Sequence, residues 1–412
     1  MKVAKLPLLA IWAGTALENF DFAIYATGAA LVFSKTFFPN ISYELGILSS
    51  LATYAVGFLA RPLGGFNFSH IGDTLGRKTV LVSTLFLMGL ATFSIGLLPN
   101  YNAIGLAAPI LLVFLRIVQG LGSGAEQAGG LVYLAEMAPN KSRGRWTSFV
   151  FVGTTTGTFL GALTWTIVKF LAGANLVDFA WRWVFLSSIV VTIMAFIIRL
   201  KLPESSSFSK LKQKSAISHK PIKETFQNKF KSMIRVFAVN IGANSASYIV
   251  HTFFTTYLTF IGLKTQDVPQ ILLFAAGLSI PSAYLGGILT DKLGAAYAQR
   301  LLQILTAVYL LGAFAALNSQ NIYLIYITVA LGYALVAALN SPQGVFFWQL
   351  FPTKYRYTGV TIPRELSSAL GGGTAPLIAS FIIFTTHKSI LISLFCLSLL
   401  LISFIASSDK RN

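Results

Sequence analysis

Residues 72–78 read GDTLGRK, a charged turn set between two long apolar runs. A shorter copy, TDKLG at 290–294, stands in the same kind of place, with Asp291 lying 218 residues after Asp73. A second element recurs at nearly that offset: Pro139 with Arg143 four residues on, and Pro352 with Arg356 four residues on, 213 apart. Two unrelated elements repeating together point to two homologous halves.

The runs between these turns decide the solvent. Of 412 residues, 55% are hydrophobic and 11% charged, against roughly a quarter charged in soluble domains. A mean hydropathy of +0.71 cannot be hidden in one water-soluble core, because a globule must cover itself with polar surface. Apolar segments fall at about 6–31, 45–68, 79–98, 104–134, 147–171 and 182–200, then at about 235–261, 268–290, 299–317, 322–349, 358–384 and 389–406. Twelve spans of about 20 residues each fit that content. The first run is too long for a cleavable leader. A disordered, fibrous or disulfide-built protein is excluded, and the single Cys396 leaves neither an intrachain disulfide nor a cysteine-cluster metal site.

Thirty-one Lys and Arg against 13 Asp and Glu give a net charge of +18. In a soluble protein that excess indicates nucleic acid; with this hydropathy it indicates topology. The one long hydrophilic stretch, 201–234, carries eight lysines against two glutamates and reads as a linker facing anionic lipid. With both termini inside, 23 cations fall on cytoplasmic segments and five outside: Lys35, Lys169, Arg182, Lys264 and Lys388. This asymmetry follows the positive-inside rule, so both termini are expected in the cytoplasm and no nucleic acid is expected as a partner. Three cations, Arg61, Arg116 and Arg364, lie inside apolar spans.

GDTLGRK followed by LRIVQGLGSG (115–124) resembles the two best-known motifs of the major facilitator superfamily. Within it, the chain resembles the metabolite:proton symporter family. The matching stretches are ALENFDF (16–22), RPLGGFNFSHIGDTLGRK (61–78), RIVQGLGSGAEQAGG (116–130), FAWRWVFLSS (179–188), RLKLPES (199–205) and FPTKYRYTGV (351–360). The resemblance implies an all-α membrane protein of twelve transmembrane helices in two pseudo-symmetric six-helix bundles. These are residues 1–200 and 235–412, joined by the basic linker 201–234. It also implies proton-coupled symport of a small polar metabolite, a carboxylate or a zwitterion, by alternating access in the cell membrane. No cofactor and no metal are expected. The expected partners are the metabolite, protons and the lipid bilayer, and the chain is expected to act as a monomer. The sequence departs from the family at Asn19, where a large aromatic is usual, at Ala125 and Gln127, where Gly and Trp are favoured, and at PRELSS (363–368). These departures bear on substrate.

A charged side chain in hydrocarbon costs at least a few kcal/mol, so each buried charge is a site candidate. Glu18 and Asp21 lie roughly 18–22 Å along segment one by helical rise and share a face. Two close carboxylates resist simultaneous ionisation, which suits proton coupling. Arg61 is placed to pair with Asp21, either in transport or as a fixed tie between segments one and two. The symporter resemblance assigns Arg116 and Gln119 to the central cavity. Glu126, ten residues after Arg116, is read as its partner in one state or as a separate titrating group. Arg364 and Glu365 point about 100° apart, so one is expected at the cavity and the other on a neighbouring helix. Asn244, Tyr248 and His251 form one stripe on segment seven, and Asn340 and Gln343 are expected to complete a polar wall. Such a stripe also serves plain interhelical hydrogen bonding.

The turn motifs read as gating elements. Asp73 is placed to receive helix-terminus donors, with Arg77 and Lys78 facing acidic groups such as Glu136. Arg143, Asp291 and Arg356 occupy the repeated positions. Contacts of this kind hold one of two states, as alternating access requires. Gly153, Gly157 and Gly161 offer a smooth ridge for close packing. GLGSG at 120–124 lies inside an apolar helix with no strand before it, which removes a nucleotide-loop reading. No Ser-His-Asp arrangement or Walker motif appears, so neither an enzyme nor an ATP-driven pump is expected. In the expected cycle, protonation of Glu18 or Asp21 lets substrate bind Arg116 or Arg364, and the neutralised complex lets the halves rock. A sugar or drug carrier of the same fold, and a non-transporting membrane sensor, are the rival readings.

Overall fold

The computed structural model describes residues 5–263 and 268–408, and Lys264, counted above among the external cations, lies outside them. The first half holds α1 (Lys5–Gly28), α2 (Tyr43–Thr74), α3 (Arg77–Leu97), α4 (Ala107–Met137), α5 (Arg143–Ala172) and α6 (Trp181–Leu200). The second holds α7 (Pro221–Tyr248), α8 (Val268–Leu293), α9 (Ala295–Asn318), α10 (Ile322–Gln349), α11 (Thr353–Thr386) and α12 (Ile390–Ala406). Among the described residues, eight of these are long and apolar enough on their own to cross a membrane. The other four are α1, α2 and α7, which carry charged residues, and α12, with 17 residues.

The repeated D-x-L-G turn has a backbone reason. Gly76 and Gly294, at φ +115° and +83°, each open the helix that follows, in a region that side chains with a Cβ avoid. A third repeat appears only in three dimensions. α1 runs on through a π-turn at Ala29–Phe33, and α7 through one at Ile249–Phe253. α11 has its own at Ser368–Gly372.

Each half has its own core: Ile24, Tyr25, Phe33 and Phe185 in the first, Phe253, Phe314, Val329 and Val336 in the second. A shared cluster closes the end that carries the turn motifs, with Val80, Ala128 and Val132 against Phe346, Phe347 and Tyr357. The halves meet along α5 with α8 and α2 with α11, which are equivalent pairs under the repeat. Inside the first half, a Cβ on Gly153 would strike Thr15, one on Gly157 the Ala16 carbonyl and one on Gly161 the Ala23 side chain. The glycine ridge therefore lets α1 and α5 approach at backbone distance.

Two elements differ from the sequence reading. The polar stretch 201–234 is largely helical: it holds a short helix, Ser206–Gln213, and the first turns of α7, which starts at Pro221 rather than near 235. α4 is broken at Ala125 (φ −128°, ψ −1°), so Glu126 opens a second helical piece.

Candidate functional site

A cavity of about 250 Å³ lies between the halves. α1 contributes Asn19 and Phe22, α2 Tyr54, Phe58 and Arg61, α4 Gln127, and α5 Thr154, Thr155 and Thr158. The second half contributes Asn244, Ser247, Tyr248 and His251 from α7, Asn340 from α10, and Arg364 and Ser368 from α11. Both π-turns of the second half reach this wall, through His251 and Ser368. A π-turn adds a residue to the turn and so re-aims side chains, which is why such turns recur at functional sites.

Arg61 and Arg364 are the cations of the wall, and no carboxylate lines it. The carboxylates stand behind. Arg61 Nε donates to Glu365 at 2.8 Å and its Nη1 lies 3.0 Å from Glu18. Arg364 donates to Glu365 at 2.9 Å and to the Gln127 amide oxygen at 2.6 Å, while its Nε has no partner. Two guanidiniums and two carboxylates, from α1, α2 and α11, thus form one buried neutral cluster spanning both halves.

A second network lies behind the aromatic wall of Phe22 and Tyr54. Thr92 donates to Asp21 Oδ2 at 2.6 Å, and Gln119 donates to Thr92 at 2.7 Å. Gln119 in turn accepts from Arg116, whose guanidinium lies 4.0 Å from the Tyr25 ring centre. Asp21 Oδ1 is buried without a partner, and among the described residues no cation lies within ion-pair distance of Asp21.

At the motif end each half caps a helix of the other. Asp73 accepts the Tyr357 and Thr358 N–H groups at 3.2 and 2.9 Å, at the start of the main α11 helix, Arg356–Ser367. Asp291 accepts the Gly144 and Arg145 N–H groups at 2.6 and 3.1 Å, at the start of α5. A carboxylate is stabilised there by the unpaired N–H groups and the helix dipole. Glu136 gathers Arg77 at 3.3 Å and Arg356, from the other half, at 2.8 Å. Arg143 lies 3.9 Å from the Trp348 ring centre, also across the halves.

With this geometry in hand, the similarities are specific. The Major Facilitator Superfamily sequence profile matches residues 11–376. The chain belongs to the Major Facilitator Superfamily. An inner membrane metabolite transport protein of Escherichia coli (strain K12) is 35% identical over 389 residues, covering 91% of this chain and 87% of the relative. The shikimate transporter of the same organism is 33% identical, covering 92% and 88%. A putative proline/betaine transporter of Staphylococcus aureus (strain MSSA476) is 31% identical, covering 93% and 83%. The fold matches a solved proton:xylose symporter with a TM-score of 0.74 at 15% identity, over 98% of this chain and 94% of that one. This major facilitator is therefore a multi-pass membrane transporter of metabolites and not an enzyme.

The structure redistributes the residues singled out in the facilitator's sequence. Asn244, Tyr248, His251, Asn340 and Arg364 line the cavity, whereas Asp21, Arg116, Gln119, Gln343 and Glu365 do not. Aromatic rings stand before Arg116, and Gln343 is buried behind Asn340, donating to its amide oxygen at 3.1 Å. Arg61 pairs with Glu18 and Glu365, not Asp21. Glu126 pairs with Arg199 rather than Arg116. The Lys78 ammonium caps the Leu200 carbonyl at 2.8 Å instead of facing an acid. Arg199, counted above as cytoplasmic, is fully buried and joins Arg61, Arg116 and Arg364 as an arginine enclosed within an apolar run. His251 Nδ1 donates to the Ser247 carbonyl at 2.8 Å, because a carbonyl can only accept. Sequence reasoning missed Arg199, Arg145, Glu204 and the threonines of α5. Thr154 and Thr158 follow the ridge glycines by one residue, a spacing that turns them from α1 toward the cavity.

Proposed function

We propose that this transporter imports a small carboxylate together with protons. The observation that carries the reading is the cavity wall: two arginines, no carboxylate, and Glu18 and Glu365 held directly behind. With both acids ionised, the cluster is neutral and offers little to an anion. Protonation of one leaves a net positive charge facing the cavity, and a bound carboxylate restores neutrality before the halves rock, which lowers the cost of moving the complex through a low-dielectric interior. This replaces Arg116 with Arg61 and Arg364 as the substrate-facing pair. Asp21, buried without a cation, is the second proposed proton carrier, with Arg116 and Gln119 setting its surroundings. The shikimate transporter among the relatives supports an organic acid, and the putative proline/betaine transporters keep a zwitterion as the neighbouring class.

Residues 1–200 and 235–412 form the proposed moving bodies, with 201–234 as the linker. The lysine-rich motif face is the cytoplasmic one, both termini lie there, and a monomer in the cell membrane is the functional unit. On this reading, Asp73, Arg77, Glu136, Arg143, Asp291 and Arg356 hold the inner face shut.

The test is accumulation in proteoliposomes under an imposed pH gradient, comparing the parent with Glu18→Gln and Asp21→Asn. Each variant is expected to keep substrate exchange and lose gradient-driven accumulation. If both retain accumulation, the coupling assignment is wrong.

A further inference from the structure

The hydrogen bonds already made around the cavity define what a substrate must supply. Thr154, Thr155 and Thr158 donate their hydroxyl hydrogens to the carbonyls of Val150, Phe151 and Thr154, each at 3.1 Å. Ser247 donates to the Ala243 carbonyl at 2.8 Å. Asn19 Nδ2 donates to the Thr15 carbonyl at 2.9 Å. A carbonyl only accepts, so the orientation of the Asn19 amide is determined, and its oxygen is left without a partner. Asn244 donates to Ser368 at 2.6 Å, and its own oxygen has no donor. Thr154 Oγ1 already accepts from Asn19 and Gln127, and Ser247 Oγ from Asn340. The acceptors left open are the Thr155 and Thr158 hydroxyl oxygens and the Asn19 and Asn244 amide oxygens, whereas the Arg61 and Arg364 guanidiniums of the wall offer donors.

The aromatic side chains point the same way. Arg61 lies 5.5 and 5.8 Å from the Phe22 and Phe58 ring centres, and Arg116 lies 5.1 and 5.4 Å from those of Phe22 and Tyr54. The Phe22, Phe58 and Tyr54 rings, which would otherwise help to cage an alkylated ammonium, already stand beside guanidinium. A second cation there would meet like charge.

We infer that the site takes a hydroxylated monocarboxylate, with its carboxylate on Arg364 and Arg61, its hydroxyl groups donating toward Asn19 and Asn244, and Asn19 setting the preference for hydroxyls. This rests on the carboxylate reading above and narrows it. A quaternary ammonium has no hydrogen to give to those oxygens, and a deoxy acid leaves them desolvated without a partner, which is the arrangement that discriminates most strongly.

The experiment compares matched acids on the full-length protein, by thermal stabilisation in detergent and counterflow in proteoliposomes. The probes are quinate against cyclohexanecarboxylate, gluconate against hexanoate, and glycine betaine. Each hydroxylated acid is expected to bind at least about tenfold more tightly than its deoxy partner, with no stabilisation by betaine. In Asn19→Leu, and in Asn19→Ser should the leucine variant fold poorly, the ratio is expected to shrink several-fold. Equal binding of the paired acids in the parent overturns the hydroxyl inference and leaves the carboxylate reading standing. Stabilisation by betaine overturns the hydroxyl inference and moves the carboxylate reading to the zwitterion class, and stabilisation by no acid at all overturns both. An unchanged ratio in a folded Asn19 variant removes Asn19 from the assignment.

Discussion

Replacing Asp73 or Asp291 by asparagine should open the motif face, and the structure sets the size of the effect. Each carboxylate accepts two backbone N–H groups at the first turn of a helix in the opposite half, at 3.2 and 2.9 Å for Asp73 and at 2.6 and 3.1 Å for Asp291. Asparagine keeps one accepting oxygen but loses the charge and the second acceptor. A hydrogen bond to a charged group contributes about 1.5–3 kcal/mol net. That shifts the closed-to-open ratio by about ten- to a hundredfold. Asp291 also loses its ion pair with Arg145 at 2.8 Å, but half-exposed Arg145 adds little because solvent screens such pairs. Ser148 on α5 is the reporter, since it is fully buried and lies against Gly287 of α8. In a Cys396→Ala background, Ser148→Cys should react slowly with a maleimide. Adding Asp73→Asn should accelerate labelling about tenfold or more, although Asp73 touches α11 rather than α8. Acceleration at that distance requires the halves to move as bodies. Labelling within twofold of the parent in both asparagine variants, with the fold intact by thermal unfolding, would refute the gate.

The remaining predictions concern stability and coupling. Glu126→Gln leaves the Arg199 guanidinium buried without its counter-charge and should cost about 3–5 kcal/mol, whereas Glu126→Leu combined with Arg199→Leu should recover most of it; thermal unfolding of the purified protein reads both. Gly157→Ala puts a methyl group into the Ala16 carbonyl and should sharply lower the yield of folded protein, while Gly312→Ala, with open space around it, should not. Asp21→Asn should weaken the response of substrate uptake to external pH, leaving the part carried by Glu18 and Glu365, while homologous exchange persists, and an unchanged pH response would return Asp21 to a structural role.

How much of this was legible in sequence depended on whether the signal was local. The D-x-L-G and Pro–Arg repeats carried the two-bundle fold because each is a turn, and a turn's geometry is written in a few neighbouring residues. The stripe Asn244–Tyr248–His251 was legible for the same reason, since one helix face needs only its own period. Pairings were not local. Arg199 stands at the end of an apolar run and looks like a flanking cation, yet its guanidinium turns inward against Gly14, where the missing side chain makes the room. Only the fold brings Gly14, Arg199 and Glu126 together. Arg116 failed in the opposite sense. Its burial within an apolar span was legible, but the rings of Phe22 and Tyr54, from two other helices, screen it from the cavity. Linker residue Glu204 was likewise hidden: it accepts the Arg77 and Lys78 N–H groups at 3.0 and 3.2 Å and so caps α3.

The symmetry of the gate and the asymmetry of the centre together explain how binding could be felt by the whole molecule. Three ion pairs join the halves among the described residues: Arg145–Asp291, Glu136–Arg356 and Arg61–Glu365. On the proposed reading, rocking must separate all three. The first two lie at the motif end, beyond the reach of anything in the cavity. The third is different, because Arg61 faces the cavity and Glu365 stands behind it. On the proposed reading, an incoming carboxylate competes with Glu365 for Arg61, and with Glu365 and Gln127 for Arg364. It therefore weakens the one cross-half ion pair that lies beside the substrate. A proton on Glu365 or Glu18 acts in the same direction, by removing the charge that holds the guanidinium. Either event alone leaves the cluster charged, whereas both together leave it neutral and the tie between the halves loosened. Coupling would then need no dedicated relay to the gate, because the two aspartate caps, being equivalent under the repeat, are released by a single rotation once the central tie gives way.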